Sequence, residues 1–283
     1  MELFEQVFNR LSIQDMLFFN IKAVLEYPTL ADLQERNPAL CERWKYLSKS
    51  KYNQEIHDIK HVPEIITNVD QQVQLIQNNV YEEKAIFYPE FTRIVAITYA
   101  SLYFEEGKLK RYFKKISNED EYIVIATFID VLYGVSSEGV KSNPPYFPTL
   151  CGHNILNYDI PLLIKRLIKY KERFEANRDT TDTTKQLLPF ILKCCLAAKP
   201  WEGKVIDTVN VWRFNGNDYT PLMLIADYLG LKKTVDLDSL PEVSRYYWAN
   251  VHDKPEETLE YVSLQSATQT NLVIQLMNEL RQL

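Results

Sequence analysis

An apolar run opens at Met16-Leu17-Phe18-Phe19 and continues through Ile21, Ala23 and Val24, interrupted by only two polar residues, Asn20 and Lys22. Residues two apart leave the same side of a strand, so this is the pattern of a buried central strand presenting two polar side chains near its end. Phe91 to Ala100 is β-branched and apolar and predicts a second strand. Leu102 to Phe104, the turn Glu105-Glu106-Gly107-Lys108 and Leu109 to Phe113 predict a hairpin into a third. Thr149 to Asn154 and Lys204 to Val209 have the length and content of short strands.

Helical spacing fills the gaps. Leu3, Phe4, Val7, Phe8 and Leu11 form a stripe, and Leu30, Leu33, Leu40, Trp44 and Leu47, then Ile65, Val69, Val73 and Ile76, mark a helical insertion over residues 27–88. Acidic Asn118-Glu119-Asp120-Glu121 starts a helix from Tyr122 to Tyr133. Pro161 is placed to start one from Leu162 to Arg173, and Thr220 to Leu229 reads as a helix capped at Gly230. Pro255 or Glu256 opens a last helix running to Leu283. Strands alternating with helices, plus one early hairpin, predict an α/β fold with a mixed sheet, here taken as a single domain over 1–283.

Composition narrows the classes. With 46% hydrophobic and 12% aromatic residues, 283 residues support a packed core. A net charge of -6 argues against a sequence-blind polyanion binder, while leaving room for a local basic groove. Cys41, Cys151, Cys194 and Cys195 have neither metal nor secreted-scaffold spacing and predict free thiols in a reducing cytoplasm. MELFEQVFNRLSIQD lacks a signal-peptide pattern and no apolar run reaches membrane-spanning length, so no membrane association is expected.

The chemistry gathers in three strings. The first is Phe18-Phe19-Asn20-Ile21-Lys22-Ala23-Val24; the second is Gly152-His153-Asn154-Ile155-Leu156-Asn157-Tyr158-Asp159-Ile160-Pro161; the third is Tyr261-Val262-Ser263-Leu264-Gln265. Between them fall Pro200-Trp201-Glu202, Ile206-Asp207-Thr208, Trp212 and Leu222 through Tyr228-Leu229-Gly230. In this order and spacing they resemble the DEDD 3'-5' exonucleases of the ribonuclease H-like fold, in the branch similar to the proofreading domain of B-family DNA polymerases. The resemblance covers residues 14–35 and most of 90–280. It implies a five-stranded mixed sheet flanked by helices. It also implies a site in which four carboxylates hold two Mg2+ or Mn2+ ions while a tyrosine orients the attacking water.

Against that pattern, the catalytic positions are Asn20, Lys22, Asp159, Tyr261 and Gln265, and only Asp159 retains a carboxylate. Asn20, Lys22, Asp159 and Gln265 sum to a formal charge of zero, a poor match for hard dications that want anionic oxygens. The expectation is therefore that no metal cofactor is held, and that Lys22 pairs with Asp159 in the place of a metal. The resemblance further implies that His153, Asn154, Asn157, Tyr158, Lys165 and Arg166 line a groove for a single nucleic-acid strand, with Lys169 and Lys171 nearby. For His153 a satisfied loop hydrogen bond is an equal alternative. Asp207-Thr208 reads as scaffold, His57 and His61 as a solvated helix face, and Lys108 to Lys115 as an exposed basic strand interleaved with aromatics. The resulting expectation is a catalytically inactive pseudo-exonuclease that binds nucleic acid or a protein partner. Two alternatives stay open: a one-metal nuclease rebuilt from Asp159, Asp207 and Asp227 or Asp253 with Lys22, and a structural subunit without a nucleic-acid role.

Overall fold

The computed structural model describes residues 12–55, 69–132, 148–177, 204–213, 216 and 218–282. The stripe from Leu3 to Leu11, His57 and His61, the loop after Tyr133, the apolar stretch from Leu187 with Cys194 and Cys195, and Pro200-Trp201-Glu202 lie outside these residues. Strand β1 is Met16–Leu25, buried at every position as its apolar run demands. Helices α1 (Leu30–Arg36), α2 (Pro38–Lys51) and α3 (Val69–Lys84) follow. Thr29 and Asp32 close a reciprocal capping box on α1, and Asn37 caps α2 ahead of Pro38.

Strand β2 is Thr92–Glu105 and β3 is Lys108–Ser117. The hairpin prediction holds with one change: β2 does not stop at Ala100 but runs to the turn, so Leu102 to Phe104 is its end. The turn itself is Glu106 and Gly107, both in the left-handed region at φ 52° and 72°, a two-residue connection that matches strand twist. Helix α4 is Glu121–Leu132, β4 is Thr149–Gly152, and α5 is Asp159–Lys169. Pro161 was expected to start α5, yet Asp159 does. The first-turn N–H groups have no helical partner, so a proline missing one is tolerated there. The helix breaks at Tyr170, and α6 is Lys171–Asn177.

Strand β5 is only Val205–Asp207, because the Asp207 side chain accepts from Val209 N at 3.0 Å and caps α7 (Thr208–Trp212). Helix α8 is Leu222–Leu229, ended by Gly230 at φ 66°. Helix α9, Leu240–Asn250, was not anticipated, although Ser239 and Glu242 form a capping box around Pro241. Helix α10 is Pro255–Arg281.

The architecture is α/β: a five-stranded mixed sheet, ordered β3-β2-β1-β4-β5, flanked by helices. Strands β2 and β3 pair antiparallel, whereas β4 pairs parallel with β1 and with β5. Register places Gly152 opposite Asp207, so the ends of β4 and β5 coincide. Contacts cluster into two units, Met1–Lys22 with Ile94–Asp238 and Glu256–Leu283, and Ala23–Arg93 with Ser239–Pro255. The first buries Phe18, Ala100, Cys151, Ile225, Leu272 and Met277 together. The second centres on Trp44, whose ring meets Tyr81 and Phe91 edge-on at 5.6 and 5.3 Å. Among the described residues no helix is long and apolar enough to cross a membrane.

Candidate functional site

Strand β1, the start of α5 and one face of α10 converge in the first unit. The polar interruptions of β1 are buried: Asn20 and Lys22 are each 4% exposed, and Asp159 and Gln265 each 2%. Asp159 Oδ1 accepts from Ile21 N at 2.6 Å and from Asn20 Nδ2 at 3.3 Å. Its carboxylate therefore ties the first turn of α5 to the edge of β1. Ser266 Oγ donates to the Asn20 carbonyl at 2.9 Å and seats α10 on the same strand. Asn20 Oδ1 is buried without a hydrogen-bond donor among the described residues.

Tyr261, Gln265 and Gln269 recur at one-turn spacing along α10 and so share a face. Gln269 Oε1 accepts from Lys22 Nζ at 2.8 Å. Gln265 brackets the Asp238 region, its Oε1 accepting from Asp238 N at 3.0 Å and its Nε2 donating to Asp238 Oδ2 and Asp236 O, both at 3.2 Å. The Tyr261 hydroxyl donates to Asp238 Oδ2 as well. The expected Lys22–Asp159 bond is thus corrected: Lys22 bonds Gln269, while Asp159 is engaged by Ile21 and Asn20 and acts on Lys22 only through its field.

Burial sets the electrostatics. Desolvation lowers the Lys22 pKa to about 8, against the pull of Asp159 and Asp238, which both favour the ammonium. Desolvation also raises the Asp159 pKa to about 7, opposed by the Ile21 amide and by Lys22. Asp238 and Gln269 were missed in the sequence. Gln269 carries a faint signal, one turn beyond Gln265; Asp238 has none, because it reaches the site through the loop before α9.

Asp207 behaves as scaffold. Its Oδ1 accepts from Asn154 N and Val209 N at 2.8 and 3.0 Å, and its Oδ2 from Leu156 N at 3.0 Å. These bonds hold the loop after β4, where Asn154 takes a left-handed φ of 62°. His153 is buried, with Nδ1 2.9 Å from Thr208 Oγ1 and Nε2 3.1 Å from the Thr220 carbonyl. A carbonyl only accepts, so Nε2 carries the proton; desolvation lowers the ring's pKa and favours its neutral form. The satisfied-loop alternative describes this histidine.

The remaining residues of the expected strand groove divide. Asn154 Oδ1 accepts from the exposed Asn157 at 3.0 Å, Tyr158 is half-buried, and Lys165 is exposed. Arg166 faces the wrong way for a strand. It is 3% exposed and ion-paired with buried Glu121, which also accepts from Ile94 N at 2.6 Å and from the Tyr170 hydroxyl at 3.0 Å. Asp227 is exposed and bonded to Lys233 at 2.6 Å, and Asp253 belongs to the second unit.

These donors do not fit a pair of divalent ions. They comprise one carboxylate that burial pushes toward its neutral form, a Gln265 amide engaged at both ends, an Asn20 amide whose oxygen is neutral and whose nitrogen is engaged, and an ammonium. Among the described residues no cluster of three or more His, Cys, Asp or Glu is arranged to hold a metal ion. What the arrangement does is tie β1, α5, α10 and the Asp238 loop together through buried polar bonds. No protein-family model, curated protein or solved structure matches the chain.

Proposed function

We propose that the chain is a ribonuclease H-like pseudo-exonuclease, a domain that binds nucleic acid or a protein partner without cutting it. The observation that carries this reading is the buried Lys22 ammonium, held by Gln269 and flanked by Asp159 and Asp238 where the resemblance calls for a metal-binding carboxylate. A cation supplied by the chain itself joins β1 to α10 through Gln269 and leaves nothing to activate a water. The sheet order, with β1 bonded on one hand to Asp159 at the start of α5 and on the other to Ser266 and Gln269 of α10, supports the fold that the motifs resemble.

The direct test incubates the purified chain with a labelled single strand and Mg2+ or Mn2+. The expected result is an unshortened strand. Metal-dependent shortening that disappears in Asp159→Ala would overturn the proposal in favour of a rebuilt nuclease. The triple substitution Asn20→Asp, Lys22→Glu and Gln265→Asp, run beside it, asks whether restoring carboxylates restores cleavage. A purely structural role draws support from Leu224 and Tyr228, one turn apart on α8 and 59% and 77% exposed, an apolar pair suited to a protein contact.

A further inference from the structure

The hairpin of β2 and β3 sorts its residues by face. On one side Ala100 lies opposite Phe113, Leu102 opposite Arg111 and Phe104 opposite Leu109, and Ala100, Leu102, Leu109 and Phe113 join the first unit's core. On the other side Ser101 pairs with Tyr112, Tyr103 with Lys110 and Glu105 with Lys108, while Lys114 lies opposite Tyr99. This second side faces solvent: Tyr103 is 43% and Tyr112 46% exposed. Tyr112 leans on the buried Tyr99 with ring centroids 6.2 Å apart, which limits its freedom before any ligand arrives. Lys110 is ion-paired with Glu105, but Lys108 and Lys114 have no ion-pair partner among the described residues. Three lysines against one glutamate make the face locally cationic on a chain of net charge -6.

We propose that this solvent face of the hairpin, built from Tyr103, Tyr112, Lys108, Lys110 and Lys114, is a binding platform for single-stranded nucleic acid. Lysines on both sides of an exposed ring along β3, with a second ring opposite Lys110 on β2, supply phosphate contacts and stacking surfaces side by side. A duplex keeps its base faces stacked inside, so the tyrosines reach their partners only on an unpaired strand. The platform uses none of the buried residues around Lys22. It rests on the binding half of the reading above and not on the loss of cleavage, so a strand that is cut and a strand that is not bound refute different claims.

The test is fluorescence anisotropy of a labelled oligothymidine with the full chain, beginning at low salt and followed through a salt series. Binding is expected, and Tyr112→Ala should weaken it about tenfold or more, while Tyr112→Trp retains it. Lys114→Ala should flatten the dependence of log affinity on log salt by about 0.7, the signature of one lost phosphate contact on a single strand. Circular dichroism of each variant checks that the hairpin is still folded. No anisotropy change at low salt overturns the proposal and leaves the face to a protein partner. Unchanged affinity in both Tyr112→Ala and Tyr103→Ala, or equal competition by a duplex, overturns it too.

Discussion

Lys22→Met removes a buried ammonium while keeping a side chain of similar length, and the sign of its effect follows from the surroundings of Lys22. Burial depresses the Lys22 pKa from an ordinary 10.5 to about 8. Keeping the ammonium charged in the folded chain at neutral pH therefore costs about 3 kcal/mol. Methionine removes that penalty but leaves Gln269 Oε1 without its donor, a loss of about 1 kcal/mol. Asp159 also loses a favourable charge; its pKa, already about 7, rises further, and it takes up a proton in place of standing as an orphan anion. The variant should be more stable than the wild type by about 2 kcal/mol at pH 7, because Asp159 can neutralise itself by taking up a proton.

Urea denaturation followed by far-ultraviolet circular dichroism, repeated across pH, measures this. Between pH 8 and 10.5 the unfolded wild type holds a proton that the folded one has released, so wild-type stability rises with pH there. Lys22→Met lacks that gain, and its advantage should shrink across the same window. Taking the difference between the two proteins cancels the groups whose titration the substitution leaves unchanged; the raised Asp159 pKa of the variant makes its advantage shrink further in the same direction. A variant less stable than the wild type by about 2 kcal/mol at pH 7 would show that the ammonium is a net source of stability, and the reasoning would fail. So would a difference that stays constant from pH 8 to 10.5.

Two further predictions concern the scaffold. Glu121→Ala strands Arg166 in the interior and leaves Ile94 N without its acceptor, so the urea midpoint should fall by the equivalent of about 3–5 kcal/mol; an unchanged midpoint would contradict the buried pair. Gly152→Ala would drive a Cβ into Ile155 Cγ2 and set it 2.8 Å from the Phe19 carbonyl oxygen. Overpacking of this kind should cost about 3 kcal/mol and lower the melting temperature clearly; melting at the wild-type temperature would show that β4 and its loop relax freely.

The elements were legible where a local pattern is strong. The all-buried β1 follows from its apolar run, the Glu106-Gly107 turn from its residue types, and the end of α8 from Gly230. Helix α9 carries a local signal in the Ser239–Glu242 capping box but lacks a strong apolar stripe to extend it. The start of α5 at Asp159 is ambiguous in the sequence because Pro161 is permitted at several positions of a first turn. The candidate site was half legible: the strings located Asn20, Lys22, Asp159, Tyr261 and Gln265, but not their partners.

The amino-acid sequence by itself determined which groups are present to do chemistry. Asn20, Lys22 and Gln265 are not carboxylates in any fold, and a period-two strand puts the first two on one side wherever it lies. Tertiary structure alone decided what those groups meet. It gave Lys22 to Gln269, brought in Asp238, and turned Arg166 inward to Glu121. These partners are far apart in the chain, and periodicity describes only neighbours along one element. Burial, which moves Lys22 and Asp159 toward their neutral forms, is likewise a property of everything packed around a residue.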